Sequence, residues 1–202
     1  MNTALIDRFE NLLRSTGRDG IDNLINFIRK SDFYTAPAST KYHSCHEGGL
    51  LEHSMYVYDC LLNLMKTPPW NQFEFAEDSM IISALLHDVC KTYFYVVETK
   101  NKKEYSEHGS KTDSQGKFDW VSYQGYTIND QYPYGHGEKS VMMIENFIRL
   151  TPEERYAIRW HMGFSDQFVD SKTLSAAIKK YPLILALSTS DMAASFLIEK
   201  EE

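Results

Sequence analysis

The chain has 202 residues, 43% of them hydrophobic and 24% charged, which suits one soluble domain able to bury its own core without disulfides. A formal charge of −7 disfavours a general coating of DNA or RNA, because such binding relies on Lys and Arg neutralising phosphates, while leaving room for a local site for a small phosphorylated substrate. The beginning of the chain has no signal-like pattern and no segment has the length and apolarity of a bilayer span, so a cytoplasmic protein without membrane association is expected.

Two amphipathic helices are predicted first. Leu5, Ile6, Phe9, Leu12 and Leu13 fall at helical spacing, and Leu24, Ile25, Phe27 and Ile28 repeat the pattern, with Gly17 and Gly20 between them. A loop over residues 34–46 ends at Gly48-Gly49. A long helix is predicted from about Leu50 to Lys66 and a very apolar one from about Ala76 to Cys90, with Pro68-Pro69 between. Residues Thr92–Val97 and Phe118–Ile128 are rich in Tyr, Val, Phe and Trp and read as an inserted β-hairpin. Helices return over Glu138–Leu150, after Thr151-Pro152-Glu153-Glu154, whose pattern is a capping box, then over Ser171–Lys180 and Pro182–Glu199. Cys45, Cys60 and Cys90 are widely spaced and read as reduced thiols.

Several polar residues sit where apolar ones belong. His53 shares a helical face with Val57, Cys60 and Leu64; Asp88 is in register with Ile81, Ala84 and Leu85; Asp191 is in register with Ile184, Leu187 and Ala194. An unpaired buried carboxylate costs several kcal/mol, so Asp88 and Asp191 each require a positive partner, whether a Lys or Arg from elsewhere or a metal ion. Taken with His87, these residues form an N and O donor set for a divalent ion, to which His136 and His161 add two imidazoles. Lys91, one turn beyond Asp88, suits either a substrate phosphate or a solvated helix end. His46 is held as a further phosphate-binding or acid residue, whereas His43 and His108 lie in polar loops and are given no role.

The segments His46-Glu47-Gly48-Gly49-Leu50-Leu51-Glu52-His53, Leu85-Leu86-His87-Asp88-Val89-Cys90-Lys91 and Tyr134-Gly135-His136-Gly137, followed by Asp191, resemble the HD-domain metal-dependent phosphohydrolases. The glycine-bearing segments are similar to the HD domain of bacterial 3′-to-5′ exoribonucleases. Those enzymes carry a separate oligonucleotide-binding domain, whereas in this sequence two short helices precede the motif and the net charge is negative, so a small substrate is expected rather than a long RNA.

The resemblance implies a mainly α fold, an HD-type helical bundle with the small β-hairpin near the active site. It implies a single domain over 1–202, in which 1–40 form an N-terminal extension and 92–133 an inserted lid. It further implies one or two divalent ions, Mn, Fe, Mg, Co or Ni, held by His53, His87, Asp88, His136, His161 and Asp191, with Asp88 as the bridge. Asp88, Lys91 and His46 are the expected catalytic residues. The expected partner is a small, nucleotide-like phosphomono- or diester, with oligomerisation left open. The insertion's aromatic residues, including Tyr93, Tyr95, Phe118, Trp120, Tyr123, Tyr126 and Tyr132, suit strand packing or the stacking of a base. A metal-holding sensor without turnover and a di-iron oxygenase remain the alternatives.

Overall fold

The computed structural model describes residues 2–42, 44–166 and 170–199. Their elements are α1 (Thr3–Ser15), α2 (Ile21–Lys30), α3 (Gly49–Leu64), α4 (Glu77–Leu86), β1 (Tyr95–Tyr105), β2 (Lys111–Asp113), β3 (Gly116–Ile128), α5 (His136–Glu145), α6 (Pro152–Arg159), α7 (Ser171–Lys180) and α8 (Leu183–Ala193). A π-helical turn, Ala194–Ile198, continues α8. The fold is therefore mainly helical with a small antiparallel sheet, and its core is built around α3, α4, α6 and α8.

The amphipathic opening helices pack as expected, burying Phe9, Leu13, Leu24, Ile25 and Ile28. Between them, Arg18 ties this pair to the rest of the chain. Its guanidinium donates to Glu154 at 3.0 Å and to Asp78 at 2.6 Å, while Ser79 donates to the same fully buried Glu154 at 2.7 Å. Glu154 is also the third helical residue of the capping box, accepting from the Thr151 N–H at 2.8 Å. One carboxylate thus caps α6 and anchors the N-terminal pair.

Three helices have ends that differ from the pattern-based expectation. The helix of α4 stops at Leu86 instead of Cys90; Asp88, at φ −107° and ψ 16°, has left the helical region, and Val89–Lys91 form a 3₁₀ turn. Asp88 is therefore not on the α4 face with Ile81 and Ala84: the end of the helix aims it. Helix α5 spans His136–Glu145 rather than Glu138–Leu150, and α8 gives way to the π turn instead of running to Glu199.

The insertion contains the expected antiparallel pair, β1 with β3, and adds a short third strand, giving a sheet in the order β1-β3-β2. Pairing of β1 with β3 runs from Tyr95↔Ile128 to Tyr105↔Phe118, a ribbon about 35 Å long. Phe118 alone among its residues is buried, and Lys103 closes the far end by lying over the Phe118 ring at 4.4 Å.

Candidate metal centre

Three helices and two turns converge on one buried point. Gly48, at φ +86°, holds the left-handed conformation that starts α3, and one turn into that helix His53 faces inward, 1% exposed. His87 and Asp88 arrive from the end of α4. Gly137 lets α5 lie against the turn after α6, since a Cβ there would come within 2.2 Å of the Arg159 carbonyl oxygen. That close approach brings His136, the first residue of α5, beside His161. Asp191 comes from α8.

Their ligand atoms form overlapping sets: His53, His87 and Asp88; His87, His161 and Asp191; Asp88, His136 and His161. Within each set all atoms lie within 4.8 Å of one another. Asp88 is at the centre. Its Oδ1 lies 2.7 Å from His136 Nε2 and 3.5 Å from His161 Nε2; its Oδ2 lies 2.7 Å from Lys91 Nζ and 3.5 Å from both His53 Nε2 and His87 Nε2. Asp191 Oδ1 is 3.3 Å from His53 Nε2.

The imidazoles are oriented from behind. His87 Nδ1 is 2.8 Å from the Ala84 carbonyl and His161 Nδ1 is 2.7 Å from the Ile158 carbonyl. A carbonyl only accepts, so each Nδ1 carries the proton and Nε2 is the nitrogen turned to the cluster. His53 Nδ1 faces Glu199 Oε1 at 2.8 Å. His161 Nε2 is buried and has no hydrogen-bond partner among the described residues. Inward-turned Nε2 atoms backed by carbonyls or a carboxylate, one of them orphaned, beside two acids, are what a divalent cation requires of its ligands, and the residues fit one.

The electrostatics follow from this packing. Burial alone would raise Asp88, but Lys91, His87 and His136 outweigh it and hold its carboxyl well below the usual range. Burial is likewise outweighed at Asp191, which His53 holds low. His53 is pushed up to about 9: burial opposes the charge, and the carboxylates of Asp191 and Glu199 prevail. At His161 the Asp88 charge overcomes burial and raises the ring, whereas at His136 burial wins and lowers it. Lys91 is raised by Asp88 against burial. Its side chain, 13% exposed, rules out the solvated helix end. Cys90 Sγ is 3.2 Å from His136 Nδ1, but burial pushes the thiol up to about 12, which leaves it protonated and unfit as a nucleophile.

A cleft of about 830 Å³ opens onto the cluster; Lys91, His136, His161 and Asp191 form its floor, and Tyr42, Met192 and Phe196 are among its walls. The structure brings together His53, His87, Asp88, Lys91, His136, His161 and Asp191. It does not bring in His46, whose half-exposed ring faces Glu52 at 3.4 Å and the Glu47 carbonyl at 3.2 Å. His108 is exposed on the loop between β1 and β2, and His43 lies outside the described residues. None of the described residues lining the cleft comes from a strand. Phe118, Trp120 and Tyr123 are carried along the ribbon instead, because β1 and β3 satisfy their hydrogen bonds with each other rather than against the helices.

Glu199 was not anticipated. It is buried, accepts from Ser44 Oγ at 2.5 Å as well as facing His53, and reaches this position through the π turn. The run Glu199-Lys200-Glu201-Glu202 has the composition of a solvated segment, and only the apolar Ala194 and Ile198 before it hint otherwise.

Among curated proteins, the dihydroneopterin 2′,3′-cyclic phosphate phosphodiesterase of Methanocaldococcus jannaschii is 39% identical over 62 residues, which is 30% of this chain. The match spans 25% of that protein, so the two are alike over a limited segment. No protein-family model matches the chain. No solved structure matches it.

Proposed function

We propose that this chain is a metal-dependent phosphohydrolase of the HD type that cleaves a small, nucleotide-like phosphomono- or diester. The observation that carries the reading is the convergence of inward-turned Nε2 atoms on the Asp88 and Asp191 carboxylates at the floor of an open cleft. A site meant only to hold the fold together would be closed; this one opens to solvent beside a buried lysine. The phosphodiesterase activity of the archaeal relative supports phosphoester hydrolysis as the reaction class.

In this reading His53, His87, Asp88, His136, His161 and Asp191 would hold one or two divalent ions, Asp88 lying among all four imidazoles. When bound, such ions polarise phosphoryl oxygens and lower the pKa of water toward neutrality. Lys91 contributes a fixed positive charge, on the Asp88 carboxylate and toward a phosphate in the cleft. Ala84, Ile158 and Glu199 keep His87, His161 and His53 from turning. His46 is given no part at the cluster, and residues 1–202 are taken as one domain.

The test is hydrolysis with Mn²⁺, Mg²⁺, Co²⁺, Ni²⁺ or Fe²⁺, read as phosphate released from nucleoside monophosphates and as the new monoester end formed from 2′,3′-cyclic phosphates, cyclic dinucleotides and short oligonucleotides. Turnover that requires metal and disappears in Asp88→Ala is expected. A metal-loaded protein that turns over none of these would overturn the hydrolase reading and favour a sensor.

A further inference from the structure

Beyond the Asp130–Tyr134 loop lies a second cavity, of about 910 Å³, that the metal reading does not use. It opens between α2, the segment Thr92–Phe94 and α5. Phe27 stacks on Phe147 in its wall with ring centroids 5.1 Å apart, and Tyr93, Phe94 and Tyr134 add further ring surface. Its polar groups are few and specific. Lys139 Nζ lies 2.5 Å from Asp130 Oδ1 and 4.9 Å from the Phe94 ring centroid, so a donor and an acceptor stand side by side against an aromatic face. Thr92, in the same wall, has a buried hydroxyl without a hydrogen-bond partner among the described residues.

Charge and connection narrow the ligand. The ionised side chains of the lining are Asp130, Lys139 and Glu145, one positive against two negative, which disfavours a phosphate here. Lys139 and Asp130 already pair with each other, so a ligand need not neutralise either; the ring walls favour a flat aromatic system, and its nitrogens can meet the remaining donor and acceptor capacity of that pair. The cavity also neighbours the metal cleft. An intermediate hollow of about 640 Å³ shares Asp130, Pro133 and Tyr134 with it, and His136, Met162 and Ser165 with the cleft. Along α5, His136 at the cluster and Met143 in the second cavity are seven residues apart, about 10 Å of helix.

We propose that this cavity is a subsite for a planar nitrogen heterocycle, the remote ring of a phosphate ester whose phosphoryl group lies at the metal cluster. The placement of the phosphoryl group rests on the phosphohydrolase reading; ring binding does not.

The test titrates adenosine and guanosine, which carry no phosphate, into the full chain by calorimetry, once with EDTA and once with Mn²⁺. Saturable binding of equal strength in both is expected. Met142→Arg, at a residue 55% exposed on the lining, and Tyr134→Ala, 59% exposed, should each weaken it about fivefold or more while leaving the circular dichroism unchanged. No binding to the wild type, undiminished binding to both variants, or equal binding of cyclohexanol would overturn the proposal. Nucleoside binding without hydrolysis of any mono- or diester would sink the hydrolase reading alone. Metal-dependent hydrolysis without nucleoside binding would sink the subsite alone.

Discussion

The contact between Glu199 and His53 allows a sharp test of how the centre is held. Both side chains are 1% exposed and their closest atoms are 2.8 Å apart, so Glu199→Ala removes the carboxylate acceptor that Nδ1–H faces. An unsatisfied buried donor costs about 1–3 kcal/mol, and the ring is freed to turn its Nε2 away from Asp88 and Asp191. Loss of such an outer partner typically weakens metal binding about 10- to 100-fold, equivalent to roughly 1.4–2.7 kcal/mol. Glu199→Gln keeps a carbonyl that can accept from Nδ1–H and should weaken binding less than Glu199→Ala. The assay is competition for Mn²⁺ or Co²⁺ against a fluorescent chelator at fixed pH, with circular dichroism to verify folding. Wild-type affinity in Glu199→Ala, alongside a large loss in Asp191→Ala, would refute the orienting role and leave Glu199 as a packing residue that tethers Ser44.

Other outcomes follow from the same geometry. In metal-free protein His53 is raised to about 9 from an ordinary value near 6.5, so its stabilising charge is fully present below about pH 6.5 and lost as pH rises through 9. The melting temperature in EDTA should therefore fall across that window while Mn²⁺ affinity rises, because the ion and the proton compete for one nitrogen; a flat profile for both would contradict the assignment. Saturating Mn²⁺ at 100 times its Kd should stabilise the fold by about 2.7 kcal/mol, seen as a higher melting temperature that Asp88→Ala does not show. Arg18→Ala strips a fully buried Glu154 of its guanidinium and should destabilise the protein by about 3–5 kcal/mol in urea unfolding, without altering metal affinity per folded molecule. Replacing residues 100–123 with a tight turn should leave metal binding at wild-type strength, since no described residue of the cleft lies on the strands.

How far the sequence could be read depended on which force positioned each residue. His53 and Asp191 were legible because they interrupt apolar faces whose periodicity the structure keeps: Val57, Ile184, Leu187 and Ala194 are all buried. The capping box at Thr151 and helix α7 were equally legible, since local hydrogen bonds and spacing determine them. The strands were legible only where one face was apolar. Beyond Val97, β1 continues through Glu-Thr-Lys-Asn-Lys-Lys-Glu, and β2 is Lys-Thr-Asp, with both faces of the ribbon largely wet. Such strands pair through backbone and polar side-chain contacts, as between Ser122 and Asn101 at 2.7 Å, and show no alternation to detect.

The ends of α4 and α8 depart from the pattern for one shared reason, and both lie at the centre. Periodicity assumes that a helix continues while its apolar face does, yet His87–Asp88 leaves α4 at its most apolar point and α8 changes to i→i+5 bonding just after Asp191, the Glu199 N–H donating to the Ala194 carbonyl at 3.0 Å. Each departure delivers a carboxylate to an imidazole: Asp88 to the four histidines, Glu199 to His53. These buried contacts join positions up to 146 apart in sequence, a separation that helical periodicity cannot report. Local pattern therefore fails where long-range electrostatics decide the backbone, and in this chain those places are the two edges of the candidate metal centre. If that account is right, the Asp88→Ala and Glu199→Ala variants should lose hydrogen-exchange protection first at Val89–Lys91 and Ala194–Ile198, while Phe9, Leu24 and Ile82 keep theirs. Uniform loss across the fold would show that the carboxylates stabilise the whole core and do not set these two turns.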